Sequence, residues 1–318
     1  YSIIAIHNTK RGPALGGCRF FGYHNEDDQK KDVLKLSKAM TYKNSLADLD
    51  FGGGKATINS RVSKNKMYEL YGKMLDHLDG SYITAGDIGI VDQDLVELKK
   101  YSNYVCSTKG TDSGQSTAYG VFNAILGYNE FKYDSSSIEN KKIVLKGFGK
   151  VGSRLAHFCK EVGAIVEVVD FESNRSLIEN AGFKFLSKYQ NTSFDSIDIF
   201  SPCATGGDLN TEFIEFANSV KIDCVIGAAN NQLENNNIEK NLFDMGITFC
   251  PDYCVNAGGV IILALRSSIR EDMEFLDTKA RNKLIGIKNK LIKILTLSKE
   301  KNQLTTVSSN ELAEAGFQ

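Results

Sequence analysis

The chain has 318 residues, of which 42% are hydrophobic and 24% charged, with a formal net charge of −1. That length exceeds what one hydrophobic core ordinarily serves, so two domains are expected. The balanced charge gives no electrostatic basis for binding nucleic acid or an acidic membrane surface, and the longest strongly apolar run, GGVIILAL at Gly258–Leu265, is too short to span a bilayer.

The seven cysteines (18, 106, 159, 203, 224, 250, 254) are scattered and odd in number, as expected of reduced thiols in a cytoplasmic protein. Cys250 and Cys254 in CPDYC lack a second Cys/His pair at ligand spacing, so no metal is expected. The four histidines (7, 24, 77, 157) are dispersed, which argues against a His-based metal centre or a Ser-His-Asp triad.

The chain opens on a strand, YSIIAIHN, with neither initiator Met nor signal peptide, and is expected to begin inside the natural sequence. KKDVLKLSKAM follows as a helix, with Val33, Leu36 and Met40 on one face and Lys43 continuing that face one turn on. Met67, Leu70, Tyr71, Met74, Leu75 and Leu78 mark a second helix, flanked by strands KATI and SYITA. A short helix over Leu95, Val96 and Leu98 is expected to start with Asp92 or Asp94 as its N-cap. The domain joint is expected around STKGTDSGQS, 107–116. From about residue 141 continuous apolar strands (KKIVLKG, AIVEVVD, SIDIFSP, DCVIGAA, GITFCP) alternate with helical or polar connections, the pattern of a parallel sheet covered on both faces. The tail, Asp272–Lys301, reads as a long amphipathic helix, with a shorter one near Glu311–Ala315.

GFGKVG follows a strand and opens a helix. Gly147 permits a tight turn, Gly149 lets backbone approach a pyrophosphate, and Gly152 allows close helix–strand packing. Asp170 ends the next strand, eighteen residues past Gly152, where it can hydrogen-bond an adenine ribose. The loop Gly147, Phe148, Gly149, Lys150, Val151 and Gly152, with Asp170, is therefore a dinucleotide site. Asp170 favours NAD, because a carboxylate repels a 2′-phosphate, while Arg175 nearby keeps NADP open.

Upstream, MTYKNSLADLDFGGGKATI sets Lys43 and Lys55 twelve residues apart, the second at the end of three glycines. A lysine crowded by another cation and partly desolvated is biased toward its neutral form, which a general base requires. The glycines would remove bulk and let a substrate or nicotinamide press against the backbone. The bland alternative is two solvated lysines.

With these motifs in order (IIAIHNT, GPALGG, MTYKN, GGGKA, YITAGDIG, TAYGV, GFGKVG, DIFSPCA, GAANNQL, PDYCVNAGGVI) the chain resembles the glutamate/leucine/phenylalanine/valine dehydrogenase family over nearly its whole length, and most resembles the leucine dehydrogenase branch. The resemblance implies an α/β fold of two domains around a cleft: a mixed-sheet substrate-binding domain at 1–115 completed by a C-terminal helix at 297–318, and a Rossmann-like NAD-binding domain at 116–296. It also implies reversible NAD-dependent oxidative deamination of an L-amino acid to its 2-oxo acid and ammonia, by a homo-oligomer, dimer or octamer. Relatives carry an N-terminal segment missing from this sequence, which leaves the choice between those assemblies open.

Carried over by position, Lys55 is the catalytic base that activates water, and Asp87 binds the substrate amino group and shuttles protons. Lys43, helped by Gly16 and Gly17, holds the substrate carboxylate. Thr117 contacts the nicotinamide carboxamide, Asn230 and Asn231 line the ribose and substrate, and Asn256 lies where the domains meet. Three departures stand out: Gly86 replaces an acidic residue, Cys18 a threonine, and DSGQS lacks the usual prolines. The side-chain pocket carries over as Leu15, Ala85, Val260 and Leu263, all apolar. Leu15 takes the place of the lysine that glutamate-specific relatives use, so a branched-chain substrate (leucine, valine or isoleucine) is expected, with an aromatic one (Phe/Trp) as the alternative. A non-catalytic dinucleotide-binding sensor derived from the family is the contrasting class; it would be marked by loss of Lys55 or Asp87, and both are present.

Overall fold

A computed structural model describes residues 1–106, 112–268 and 273–317, without the side chains of 268 and 273–276. The chain separates into two compact units, one of Tyr1–Asp112, Val260–Arg281 and Leu312–Gln318, the other of Ser113–Gly259 and Asn282–Glu311. Most of the segment expected to hold the domain joint, 107–111, lies outside the described residues, as does the expected helix start Asp272.

The first unit begins with β1 (Ser2–Asn8), β2 (Ala14–Phe21), α1 (Glu26–Leu46), β3 (Gly52–Asn59), α2 (Lys64–His77), β4 (Tyr82–Gly86) and α3 (Asp92–Leu98). Its sheet runs β1-β3-β2-β4, with β1 antiparallel to β3 and the other pairs parallel. Pleating sends alternate residues to opposite faces. Cys18, Ala56, Ile58 and Tyr82 thus pack with Met67, Tyr71 and Leu75 of α2 in one buried cluster. Asn25 caps α1 by accepting from the Asp28 N–H, and three acidic residues in the first turn suit the helix dipole. The start of α3 differs from the expectation. Val91 occupies the N-cap, and Asp94, three residues on, reaches back to accept from the Val91 N–H at 2.8 Å.

The second unit opens with α4 (Ser113–Tyr133), which sequence periodicity did not reveal because it is buried along much of its length and lacks a polar stripe. There follow β5 (Lys142–Lys146), α5 (Gly152–Glu161), β6 (Ile165–Val169), α6 (Arg175–Asn180), β7 (Lys184–Leu186), β8 (Ser196–Pro202), α7 (Thr211–Ser219), β9 (Lys221–Val225), α8 (Asn236–Asp244), β10 (Thr248–Phe249) and α9 (Asp252–Val255). The sheet order is β10-β9-β8-β5-β6-β7, and every pairing is parallel. Strand order reverses between β5 and β8, the kind of position where parallel sheets bind ligands beyond their carboxyl ends. The chain ends with α10 (Gly258–Ser268), α11 (Met273–Lys301) and α12 (Thr305–Ala315). No helix among the described residues is long and apolar enough to cross a membrane.

The glycine run before Lys55 has a different role from the one its sequence suggested. A Cβ on Gly52 would lie 1.9 Å from the Asn8 carbonyl, one on Gly53 2.1 Å from the Thr41 backbone N, and one on Gly54 2.7 Å from the Tyr82 ring. The space left by the missing side chains is filled by the protein itself. Gly53→Ala should therefore cost about 1–3 kcal/mol by forcing α1 off β3. Gly286→Ala, inside α11 with nothing within 4 Å of its Cβ, should instead stabilise by roughly 0.5–1 kcal/mol. Denaturant titration of both variants checks this, and equal effects would refute the packing argument.

Candidate active site

Three strands of the first unit supply the polar cluster. Leu15↔Gly53 and Arg19↔Thr57 are register pairs of β2 and β3, so Lys55 shares a sheet face with Leu15, Gly17 and Arg19. Gly17↔Ala85 pairs β2 with β4, which places Ala85 on that same face, with Asp87 two residues beyond. Lys55 Nζ lies 3.2 Å from Asp87 Oδ2, and its residue is 6% exposed. The two predicted catalytic residues thus form an ion pair between a buried lysine and a half-buried carboxylate. Gly17 is required here, since a Cβ would sit 2.6 Å from the Gly86 carbonyl and 3.0 Å from Asp87 Cβ. Gly86 is not required, because an added Cβ would meet only ordinary contacts at 3.4 Å or more.

Arg19 completes the cluster and was not singled out in the sequence. Its Nε donates to Asp87 Oδ2 at 2.9 Å and its Nη1 to Asp32 Oδ2 at 3.0 Å, while the Tyr23 hydroxyl donates to the same Asp32 oxygen at 2.6 Å. Burial pushes the Asp87 carboxyl up, but Lys55 and Arg19 outweigh it and hold the group below the ordinary carboxylate value. The neighbouring Cys18 thiol is pushed up by burial to about 12, so it stays neutral.

Lys43 occupies the last turn of α1, where a cation also suits the helix dipole. The next residue, Asn44, donates its side-chain amide to the carbonyls of Gly52 (2.6 Å) and Leu15 (3.3 Å), tying the helix to both strands. Gly16 is fixed by its carbonyl, which accepts from the Tyr82 hydroxyl at 2.8 Å. Leu15 and Ala85 are almost completely buried, and Val260 is buried on α10. Leu263, half-buried on α10, accepts at its carbonyl from Cys106 Sγ at 3.1 Å. Cys106 directly follows the Thr84–Val105 bridge, so α10 is tied to the strand that carries Ala85.

In the second unit the GFGKVG turn joins β5 to α5. Gly147 has φ +103°, and a Cβ there would meet Ala204, just past β8, at 2.8 Å. A Cβ on Gly152 would lie 1.9 Å from the Gly147 carbonyl, whereas one on Gly149 would meet nothing within 4 Å. The first and third glycines therefore close the turn on itself and the second leaves its backbone open, as a pyrophosphate requires. Asp170 accepts from the Phe148 N–H at 2.5 Å, the Phe171 N–H at 2.7 Å and the Asn174 amide at 2.9 Å, which seats its carboxylate at the mouth of this turn. Arg175 pairs with Glu172 and Glu179. The Lys150 ammonium lies 3.4 Å from the Ser113 hydroxyl, and Val151 precedes the first residue of α5.

Nearby in the chain's packing, Asn256 donates to Asn230 Oδ1 at 2.8 Å and to the Ala228 carbonyl at 3.0 Å, while its own Oδ1 is buried without a hydrogen bond. Asn231 adopts φ +53° and its N–H donates to Asp252 at 2.8 Å. The Thr117 hydroxyl donates to the Ser113 carbonyl at 2.8 Å, and Thr117 packs against Gly258 and Gly259, where a Cβ would come within 2.7 Å and 3.4 Å of it. The open Gly149 backbone and the orphaned Asn256 oxygen both fit a dinucleotide bound across these residues.

Comparison with known proteins follows the same lines. Residues 1–103 match the family described as Glu/Leu/Phe/Val dehydrogenase, dimerisation domain, and residues 167–316 match the Glutamate/Leucine/Phenylalanine/Valine dehydrogenase family. The chain is 35% identical to a phenylalanine dehydrogenase of Caldalkalibacillus thermarum, over 100% of this chain and 87% of that protein. It is 34% identical to a leucine dehydrogenase of Bacillus subtilis, over 98% and 86%. The crystal structure of L-tryptophan dehydrogenase from Nostoc punctiforme superposes with a TM-score of 0.87 at 33% identity, covering 99% of this chain and 91% of that one. The chain therefore belongs to the Glu/Leu/Phe/Val dehydrogenase family of dinucleotide-dependent amino-acid dehydrogenases.

Proposed function

We propose that the protein catalyses the reversible NAD-linked deamination of a branched-chain aliphatic L-amino acid, with water consumed and a 2-oxo acid and ammonium released. The observation that carries this reading is the pairing of buried Lys55 with Asp87 on the sheet face that also bears Leu15 and Ala85. When bound along the GFGKVG turn and Asp170, NAD supplies the hydride acceptor, and the Asp170 carboxylate disfavours the 2′-phosphate of NADP. Lys43, with the Gly16–Gly17 backbone, holds the substrate carboxylate. Asp87 accepts a hydrogen bond from the substrate amino group. Lys55 takes the proton of the water that attacks the imino carbon, and Asp87 returns a proton to the departing ammonia. Thr117, Asn230, Asn231 and Asn256 orient the nicotinamide and its ribose.

The substrate side chain faces Leu15, Ala85, Val260 and Leu263, which offer no cation to a distal carboxylate. An aromatic substrate is the second reading, favoured by the similarity to relatives named for phenylalanine and tryptophan. A homo-oligomer belongs to the same proposal, since the N-terminal family match is named a dimerisation domain. Light scattering at the mass of one 35.1 kDa chain would remove it.

Lys55→Ala should lower kcat by orders of magnitude with NAD binding retained, whereas Lys43→Ala should mainly raise KM. Near-normal kcat in Lys55→Ala would sink the assignment. Asp170→Ala should weaken NAD binding and narrow the gap to NADP; an unmutated protein that used NADP equally well would count against the cofactor choice. Across a substrate panel, kcat/KM should be higher for L-leucine, L-valine and L-isoleucine than for L-glutamate, L-phenylalanine or L-tryptophan. One methylene is worth about 1–3 kcal/mol in such a pocket, so preferences among the three should be modest. A glutamate preference would show the pocket misplaced, and an aromatic one its volume misjudged.

A further inference from the structure

We propose that Arg19 is a positioning residue for this reaction: clamped by Asp32 and Tyr23, it shares Asp87 with Lys55 and keeps that carboxylate paired when Lys55 gives up its proton. The inference rests on the Lys55–Asp87 reading above and adds a residue that this reading does not use.

The geometry is specific. Arg19 Nε and Lys55 Nζ approach the same oxygen, Asp87 Oδ2, at 2.9 and 3.2 Å. Among the described residues no hydrogen bond reaches Oδ1. Two donors on one oxygen fix the carboxylate plane and leave the other oxygen for a substrate amino group. Different nitrogens of the same guanidinium hold Asp87 and Asp32, a span that a lysine cannot make. The Tyr23 hydroxyl then fixes Asp32 at 2.6 Å, so the clamp has its own support.

Charge bookkeeping gives the arrangement its purpose. A general base must lose its proton, and a half-buried carboxylate paired only with that base would then be left uncompensated. Arginine stays protonated throughout. Arg19, although it also pairs with Asp32, thus keeps a cation on Asp87 in both states of Lys55. Among the described residues Cys18 and Tyr82 also feel Asp87, both pushed up by burial and so uncharged. Behind Arg19 stand Asp32 and Tyr23, the latter pushed up by burial and by Asp32.

The test compares Arg19→Gln, Arg19→Lys, Tyr23→Phe and Lys55→Ala in the full chain, reading kcat, KM and the acid limb of kcat/KM against pH, with thermal midpoints alongside. Arg19→Gln should lower kcat roughly 10- to 100-fold, within what one acid–base group supplies, with a smaller change in KM. Its acid limb should move to higher pH, because removing a cation strengthens proton binding at Asp87. Arg19→Lys should fall between, and Tyr23→Phe should displace the limb in the same direction by less. If Arg19→Gln fails to fold, Tyr23→Phe decides. Acid limbs that overlay the unmutated enzyme, with Lys55→Ala still inactive, would overturn the inference while leaving the underlying reading intact. An active Lys55→Ala would overturn both.

Discussion

Backbone touching backbone is the constraint on which the first unit depends. Along β2 and β3 four glycines replace side chains with direct contact: Gly16 on the Gly54 carbonyl, Gly52 on the Asn8 carbonyl of β1, Gly53 on the Thr41 backbone of α1 and Gly54 on the Tyr82 ring of β4. Such close approach leaves little freedom in where the next residue projects. Lys55 follows immediately, so its position is set by contacts that cannot relax without moving a helix or a strand. Asn44 reinforces the same joint by bonding the carbonyls of both strands. Precision at the site is thus a packing property before it is an electrostatic one.

The electrostatic layer built on that frame is costly in itself. Taking Lys55, and much of Asp87 and Arg19, out of water carries a desolvation penalty that their mutual attraction need not exceed. Exposed pairs such as Lys30–Glu26 and Lys73–Glu69, by contrast, cost little and contribute little. The group is better understood as a device for holding charge in place than as a source of stability.

Most of the second unit was legible, because its strands are continuous apolar runs and its glycines obey a fixed spacing tied to one turn geometry. The structure adds that Asp170 is held by the glycine-rich loop itself, through the Phe148 N–H. In the first unit the sequence pointed to Lys55 and Asp87 but missed Arg19, although "GCRF" lay beside the motif. A charge pairing between neighbouring strands depends on register, and register is invisible until the sheet order is known. The glycine run was misread for a related reason: absent side chains announce close approach without saying what approaches. α4 escaped notice because burial on several sides erases the periodicity by which helices are recognised.

The discontinuity of the first unit bears on how the chain is made. Its final segment, beginning at Leu312, supplies Glu314 to the Tyr42 hydroxyl, the Ala313 carbonyl to Ser45 and the Gly316 carbonyl to Arg11. These partners are separated by 272, 268 and 305 positions. During synthesis from the N-terminus, α1 therefore emerges long before the residues that cover it, whereas β5 through β10 arrive as one uninterrupted run. The unit begun first must wait for Leu312 and the residues after it, and its exposed surface must be tolerated, or shielded, until they have been made.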